Sequence, residues 1–186
     1  PSLWHTLLTL LSHVVIVVCV PVLTLRYGRA LDMLRAATNL VTEDTALAEA
    51  TRGSLKAFIQ DSYAYYYYHR GKMSAALQAV KKATRAHAAL KQWDHVAKCH
   101  LHTAAILSKR RRHGDANKCL GKILRLVDQE KLEVGGASAQ KVCMLAVCYN
   151  NIAVEHIALR QYENACVASQ NARRLARLSL SFSNRY

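Results

Sequence analysis

Apolar positions recur at helical spacing along most of the chain. Between Ala75 and Leu90, the residues Ala76, Leu77, Val80, Ala83, Ala86, His87 and Leu90 form a stripe at i, i+3, i+4 and i+7. That is the period of an amphipathic helix, not of a strand. Start and stop signals separate such stripes. Thr42, followed by Glu43 and Asp44, reads as an N-cap with acids in the first turn. Gly71 and Gly114 are placed to end helices, Asp115 to cap the helix after Gly114, and Asp94 to open one after Trp93. Val134-Gly135-Gly136-Ala137-Ser138 is the one long break. No alternating stretch of useful length occurs, so the pattern predicts an all-α body.

The helices repeat. The segments RYGRAL at 26–31, KMSAAL at 72–77, DANKCL at 115–120 and QYENAC at 161–166 begin alike. Aligning them puts Ala30, Ala76, Cys119 and Ala165 in one column, at spacings of 46, 43 and 46. Leu34, Val80, Ile123 and Ser169 follow four places on, and Ala37, Ala83, Leu126 and Ala172 seven places on. Small residues in the first column let helices approach closely, and larger ones then fill the seam. Regular self-similarity of this kind marks a helical repeat.

The segment Tyr149-Asn150-Asn151-Ile152-Ala153, followed by Tyr162, Ala165 and Ala172, fits the W/Y-x-N-L-G … Y-x-x-A … A pattern of the tetratricopeptide repeat (TPR) family. A second match runs through Ala64, Tyr67, Gly71, Ala76, Val80 and Ala83, and a third through Ile106, Leu107, Gly114 and Leu120. Residues 26–186 thus resemble a TPR array. Two features depart from the family: the repeats exceed its 34 residues, and no proline closes them. The resemblance implies an all-α, TPR-like α-solenoid of antiparallel helix hairpins in a right-handed superhelix. It implies hairpins near 43–90, 94–130 and 138–180, with Ala30, Ala76, Cys119, Ala165, Tyr149 and Ala153 at the packing positions. It also places Tyr65, Tyr68, His69, Arg111, Arg112, Asn150 and Ile157 on the concave wall, an aromatic and arginine-lined groove for an extended peptide or partner helix. The alternative for the tyrosines is that they only pack against an adjacent repeat. The resemblance does not extend to the carboxylate clamp that grips chaperone C-termini, since Asp61 and Tyr65 occupy its groove positions.

Residues 3–25 carry no formal charge. Two readings stay open: a membrane anchor, long enough to span a bilayer and followed by Arg26 and Arg29, or helix A of the first hairpin, buried against the helix of Ala30. Neither a basic start nor a small-residue cleavage site marks a signal peptide.

Composition sharpens this picture. A 52% apolar content supports a real core and excludes wholesale disorder. Against 12 acids stand 26 Lys and Arg, a net charge of +14, which calls for an acidic partner. The densest basic patch comprises Lys109, Arg110, Arg111, Arg112, Lys118 and Lys122. As a plain alternative, the 109–112 run is a solvated helix end. The six cysteines form no C-x-x-C pair, so they read as free thiols of a reducing compartment. Neither a Gly-rich phosphate loop nor G-x-S-x-G nor H-E-x-x-H occurs, so the expectation is a non-catalytic protein without cofactors. His95, Cys99 and His102 share one helix face at i, i+4 and i+7 and form the sharpest metal candidate. Their competing reading is helix packing, and the sequence favours it.

These features together suggest a scaffold or adaptor bound to other protein subunits in a hetero-oligomeric assembly. An acidic surface such as tubulin suits the charge, which points to a cytoplasmic or cytoskeletal site, with a ciliary or flagellar axoneme as the specific suggestion. An RNA-binding subunit of a ribonucleoprotein and a membrane-anchored TPR receptor are the alternatives.

Overall fold

The computed structural model describes residues 27–43, 46–132 and 139–183. The apolar head at 1–25 and the break at 134–138 lie outside the described residues. Seven α-helices and no strand occur among the described residues: α1 Tyr27–Glu43, α2 Glu49–His69, α3 Met73–Ala89, α4 Trp93–Lys109, α5 His113–Asp128, α6 Ala139–Ala158 and α7 Tyr162–Ser183. The fold is all-α, and within each compact unit helices pack against their neighbours in the chain. Two compact units divide it, residues 1–92 and 93–186.

In the first unit, α1 lays Ala30, Leu34 and Val41 against α2. Ala30 and Leu34, near its start, meet Tyr66 near the end of α2, while Val41, near its end, meets Leu55 and Ile59 near the start. That crossing of ends makes the pair antiparallel. A similar relation joins α2 and α3: Phe58 packs edge-on against His87, with ring centroids 5.3 Å apart. His87 is fully buried, so its polar atoms need partners. Its Nδ1–H donates to Gln92 Oε1 at 2.7 Å, and Gln92 Nε2 donates to Ser54 Oγ at 3.0 Å.

In the second unit, α6 packs against α4, α5 and α7. Cys148 of α6, fully buried, donates to the Leu120 carbonyl of α5 at 3.7 Å. At the start of α5, His113 Nδ1–H donates to Glu155 Oε2 at 2.8 Å, and Asn117 Nδ2 donates to His156 Nε2 at 3.4 Å. Glu155 is the one buried acid among the described residues, and the imidazole supplies the partner that a buried carboxylate requires.

One turn recurs at five helix ends. In each, a single residue has positive φ: Gly71 (72°), Lys91 (55°), Arg111 (61°), Glu130 (55°) and Arg160 (59°). The next residue's N–H reaches back five residues: Lys72 to Tyr67, Gln92 to His87, Arg112 to Leu107, Lys131 to Leu126, and Gln161 to His156, all at 2.9–3.0 Å. This is the Schellman closure, which satisfies carbonyls that a helix end leaves open. Glycine occupies the left-handed position only once. At the other four, an L side chain accepts a conformation that costs on the order of 1 kcal/mol.

The turns correct three sequence-based assignments. Gly114 does not end a helix; it is the second residue of α5, and Arg111 makes the turn instead. Asp115 is not an N-cap but lies inside the first turn of α5, where Arg112 donates to its Oδ2 through Nε at 2.9 Å and Nη2 at 2.6 Å. Thr42 opens no helix; it sits in the last turn of α1 with its hydroxyl donated to the carbonyls of Asn39 and Thr38. The turns also shift the repeat register. Counting five residues on from Gly71, Arg111 and Arg160 gives Ala76, Ala116 and Ala165, all buried. Cys119 falls three places later, level with Ala79 and Ala168, also buried. The spacings are therefore 40 and 49, not 43 and 46.

The cost of the left-handed position can be measured. No atom lies within 4 Å of a Cβ added at Gly71, so Gly71→Ala should lose only the backbone preference, about 1 kcal/mol. Arg160→Gly should gain about 0.5 kcal/mol, because glycine's freedom in the unfolded chain offsets part of the relief. Urea denaturation reads both, and equal midpoints for all three proteins would show that the turns are unstrained.

Candidate partner-binding surfaces

The two units present different chemistry. In the first, Tyr65 and Tyr68 converge on His69, with ring centroids 4.3 and 5.3 Å from the imidazole. Tyr65 is half-buried against the cluster of Ala30, Leu34 and Tyr66. Tyr63 and Tyr67, one helical turn apart, stack at 6.0 Å with planes inclined by 21°. These two and Tyr66, not Tyr65 and Tyr68, line a cavity of about 490 Å³ between α1, α2 and α3. Arg35, Lys72 and Lys82 stand on its rim with Gln60 and Gln78. Phenol faces ringed by cations suit a ligand that combines carboxylates with an apolar or aromatic group.

In the second unit, all six residues of the basic patch are exposed: Lys109, Arg110, Arg111 and Arg112 at the α4–α5 turn, and Lys118 and Lys122 on α5. Arg125 continues the α5 stripe at the i+3 position from Lys122. The turn accounts for the placement of the first group. Lys109 ends α4, where the helix dipole favours a cation, whereas Arg112 stands at the start of α5, where it does not. The ion pair with Asp115 offsets that second position. The contact of His113 with Glu155 brings this turn against the last turns of α6, which carry the exposed Ile157. Asn150, farther back on α6, is exposed and lines a groove between α6 and α7.

The metal candidate does not assemble. Cys99 is fully buried, His95 and His102 are half-buried, and no three His, Cys, Asp or Glu side chains converge as a metal site among the described residues. Sequence spacing missed a different pair, His100 and Cys119, whose Nδ1 and Sγ approach to 3.6 Å. A thiol beside an imidazole can be a nucleophile if the proton moves from sulfur to nitrogen. Here the surroundings oppose that transfer. Burial raises the Cys119 thiol, although Lys122 and the hydroxyl of Thr103 pull the other way. The His100 imidazole is pushed down to about 4 by burial, then by the charges of Lys122 and Arg125. Neighbouring Cys148 is pushed up to about 12 by burial and by Cys119. The pair is held neutral and serves packing.

A second missed feature is the pair of polar staples at two turns. His87 and His156 each donate Nδ1–H to a glutamine five residues on, Gln92 at 2.7 Å and Gln161 at 2.6 Å. Their segments read HAALKQWD at 87–94 and HIALRQYE at 156–163. That eight-residue echo was the available signal.

His100 makes stability depend on pH with a defined sign. The unfolded imidazole takes a proton near pH 6.5, the folded one only near 4, so the unfolded state binds more protons between those values. Stability is complete above pH 6.5 and is lost as pH falls toward 4. The shift corresponds to at most about 3 kcal/mol, and residual solvent contact reduces the expected loss to roughly 1–2 kcal/mol. His100→Gln should lack this share of the decline when urea midpoints are compared at pH 7 and 4.5. Parallel curves for the two proteins would contradict it.

No known family model and no curated protein matches the chain. Among solved structures, the chain is similar to BtubC (BKLC) from P. vanneervenii, at 14% identity and a TM-score of 0.57, over 96% of this chain and 85% of that one. At that identity the likeness is one of fold: an all-helical, repeat-like architecture.

Proposed function

We propose that this chain is a non-catalytic, TPR-type scaffold or adaptor that docks through its cationic surface on an acidic protein lattice of the microtubule kind. One observation carries the reading. Residues 109–125 hold seven cations and one acid; all seven cations are exposed, and the acid is already engaged by Arg112. A rigid turn and a helix present these charges together, so an extended acidic partner could meet several without ordering a flexible segment. The neutral His100–Cys119 pair supports the non-catalytic part. The tubulin connection draws on the name of the solved neighbour, BtubC, which belongs to that protein and enters here by likeness of fold. A cytoplasmic or cytoskeletal location, in a cilium or flagellum in particular, follows from the same reading. No described helix is long and apolar enough to cross a membrane.

The test is co-sedimentation with microtubules across ionic strength. The chain should pellet at low salt and be released as screening shortens the reach of surface charge to roughly 8 Å near physiological ionic strength. Removing the acidic tails of tubulin should weaken binding, as should Arg110→Glu with Arg111→Glu, by about tenfold. Pelleting absent at low salt, or indifferent to both changes, would refute the assignment. Retention on RNA that outcompetes microtubules would move the reading to a ribonucleoprotein.

A further inference from the structure

The α6–α7 hairpin carries an apolar face that its own unit leaves uncovered. Along α6, Cys143, Val147, Asn150, Val154 and Ile157 follow one another at alternating steps of four and three, the spacing of a helix seam. All five are exposed: Val147 is 44%, Val154 51% and Ile157 56% accessible. From α7, Ser169, Ala172, Ala176 and Leu180, at steps of three, four and four, face Cys143, Val147 and Asn150, and Leu180 is 65% accessible. Between the helices runs a groove of about 540 Å³, with Ala146, Ala172, Ala176 and Ser169 among its lining residues and Arg173 on it. Single exposed aliphatic residues are ordinary, but a contiguous row of them in register marks an interaction surface.

The charge around the groove is one-sided. Arg173, Arg174 and Arg177 follow α7 beside it, and no acidic residue lines it. The hairpin's two acids are the buried Glu155 and Glu163 in the first turn of α7. We infer that this groove seats one amphipathic helix, apolar on the face it inserts and acidic on its flanks, supplied by a partner protein.

Three physical points select that occupant. First, the α6 seam lines the groove from Cys143 to Asn150 and runs on, exposed, through Val154 to Ile157, about 21 Å in all at 1.5 Å per residue, the length of four turns of a partner helix. Second, small residues lining the groove allow the close approach of a third helix, and rows at 3–4 spacing on both walls fit its knobs. An extended strand has a period of two and would match neither row. Third, the arginines select the partner's sign. A second copy docked through this face by twofold symmetry would bring Arg173, Arg174 and Arg177 against their own equivalents, which like-charge repulsion disfavours. The groove lies on α6 and α7, apart from the basic run at 109–125, and this inference does not rest on a microtubule partner.

Fluorescence anisotropy with the full chain tests the idea without tubulin. The probe is a labelled peptide of roughly three heptads, with Leu at a and d and Glu at e and g. Controls carry Lys at e and g, or two prolines in the middle. The Glu peptide should bind saturably, and both controls should bind about tenfold more weakly or worse. Val147→Glu with Ile157→Glu should abolish binding; both side chains are exposed, and circular dichroism checks that the fold survives. Arg173→Glu with Arg177→Glu should reverse the preference toward the Lys peptide. The inference is overturned if the Glu peptide does not bind, if the proline-broken peptide binds as well, or if charge reversal leaves the preference unchanged. Light scattering that shows a dimer dissolved by Val147→Glu would assign the face to a second copy instead.

Discussion

Five helix ends of this fold depend on a backbone residue held where L-amino acids do not readily go. The left-handed residues at 71, 91, 111, 130 and 160 stop their helices within one residue and close the open carbonyls. After residues 71, 91, 111 and 160 the next helix starts two residues on. Within each unit, a connection that short leaves antiparallel return as the available path, and the apolar stripes of α2 and α3, α4 and α5, and α6 and α7 meet. Burial then supplies the stabilisation: Leu34, Val80, Ile123 and Leu120 are sealed from solvent, each contributing about 1.5–3 kcal/mol. The packing over-determines the turns, and this lets Lys91, Arg111, Glu130 and Arg160 occupy a position that glycine would fill with less strain.

That substitution has a functional side. A lysine or arginine in the left-handed position is thrown outward on a backbone fixed from both sides. At the α4–α5 turn, Arg111 therefore stands beside Lys109, Arg110 and Arg112 on a rigid corner. The cations of residues 109–125 thus stand exposed on the surface, apart from the packed core. The same unit answers its buried acid internally, Glu155 with His113.

The helix class was legible because the stripe at 76, 80, 83 and 87 is a direct image of one buried face. Even the buried His87 shows in it by periodicity alone. Ala30, Ala76 and Ala165 are buried, and so is Cys119, three places off their register. What the pattern hid was the position of the turns. Glycine is the usual sign of a left-handed residue, so Gly71 was readable and Gly114 misleading, while Arg111 and Arg160 carried no local mark. A turn misplaced by three residues, in turn, aligned Cys119 where Ala116 belongs. Neighbours distant in sequence were also beyond reach. Nothing local indicates that Tyr63 and Tyr67 would line a cavity with Arg35, or that His100 would meet Cys119 nineteen residues away.

The central claim is that the exposed charges of residues 109–125 are the contact with an acidic lattice. Zero-length carbodiimide cross-linking on microtubules, with the joined residues read by mass spectrometry, addresses it most directly. Amide bonds from Lys109, Lys118 and Lys122 to tubulin carboxylates are the predicted result. Cross-links confined to lysines of the first unit, such as Lys56, Lys81 and Lys82, would contradict it.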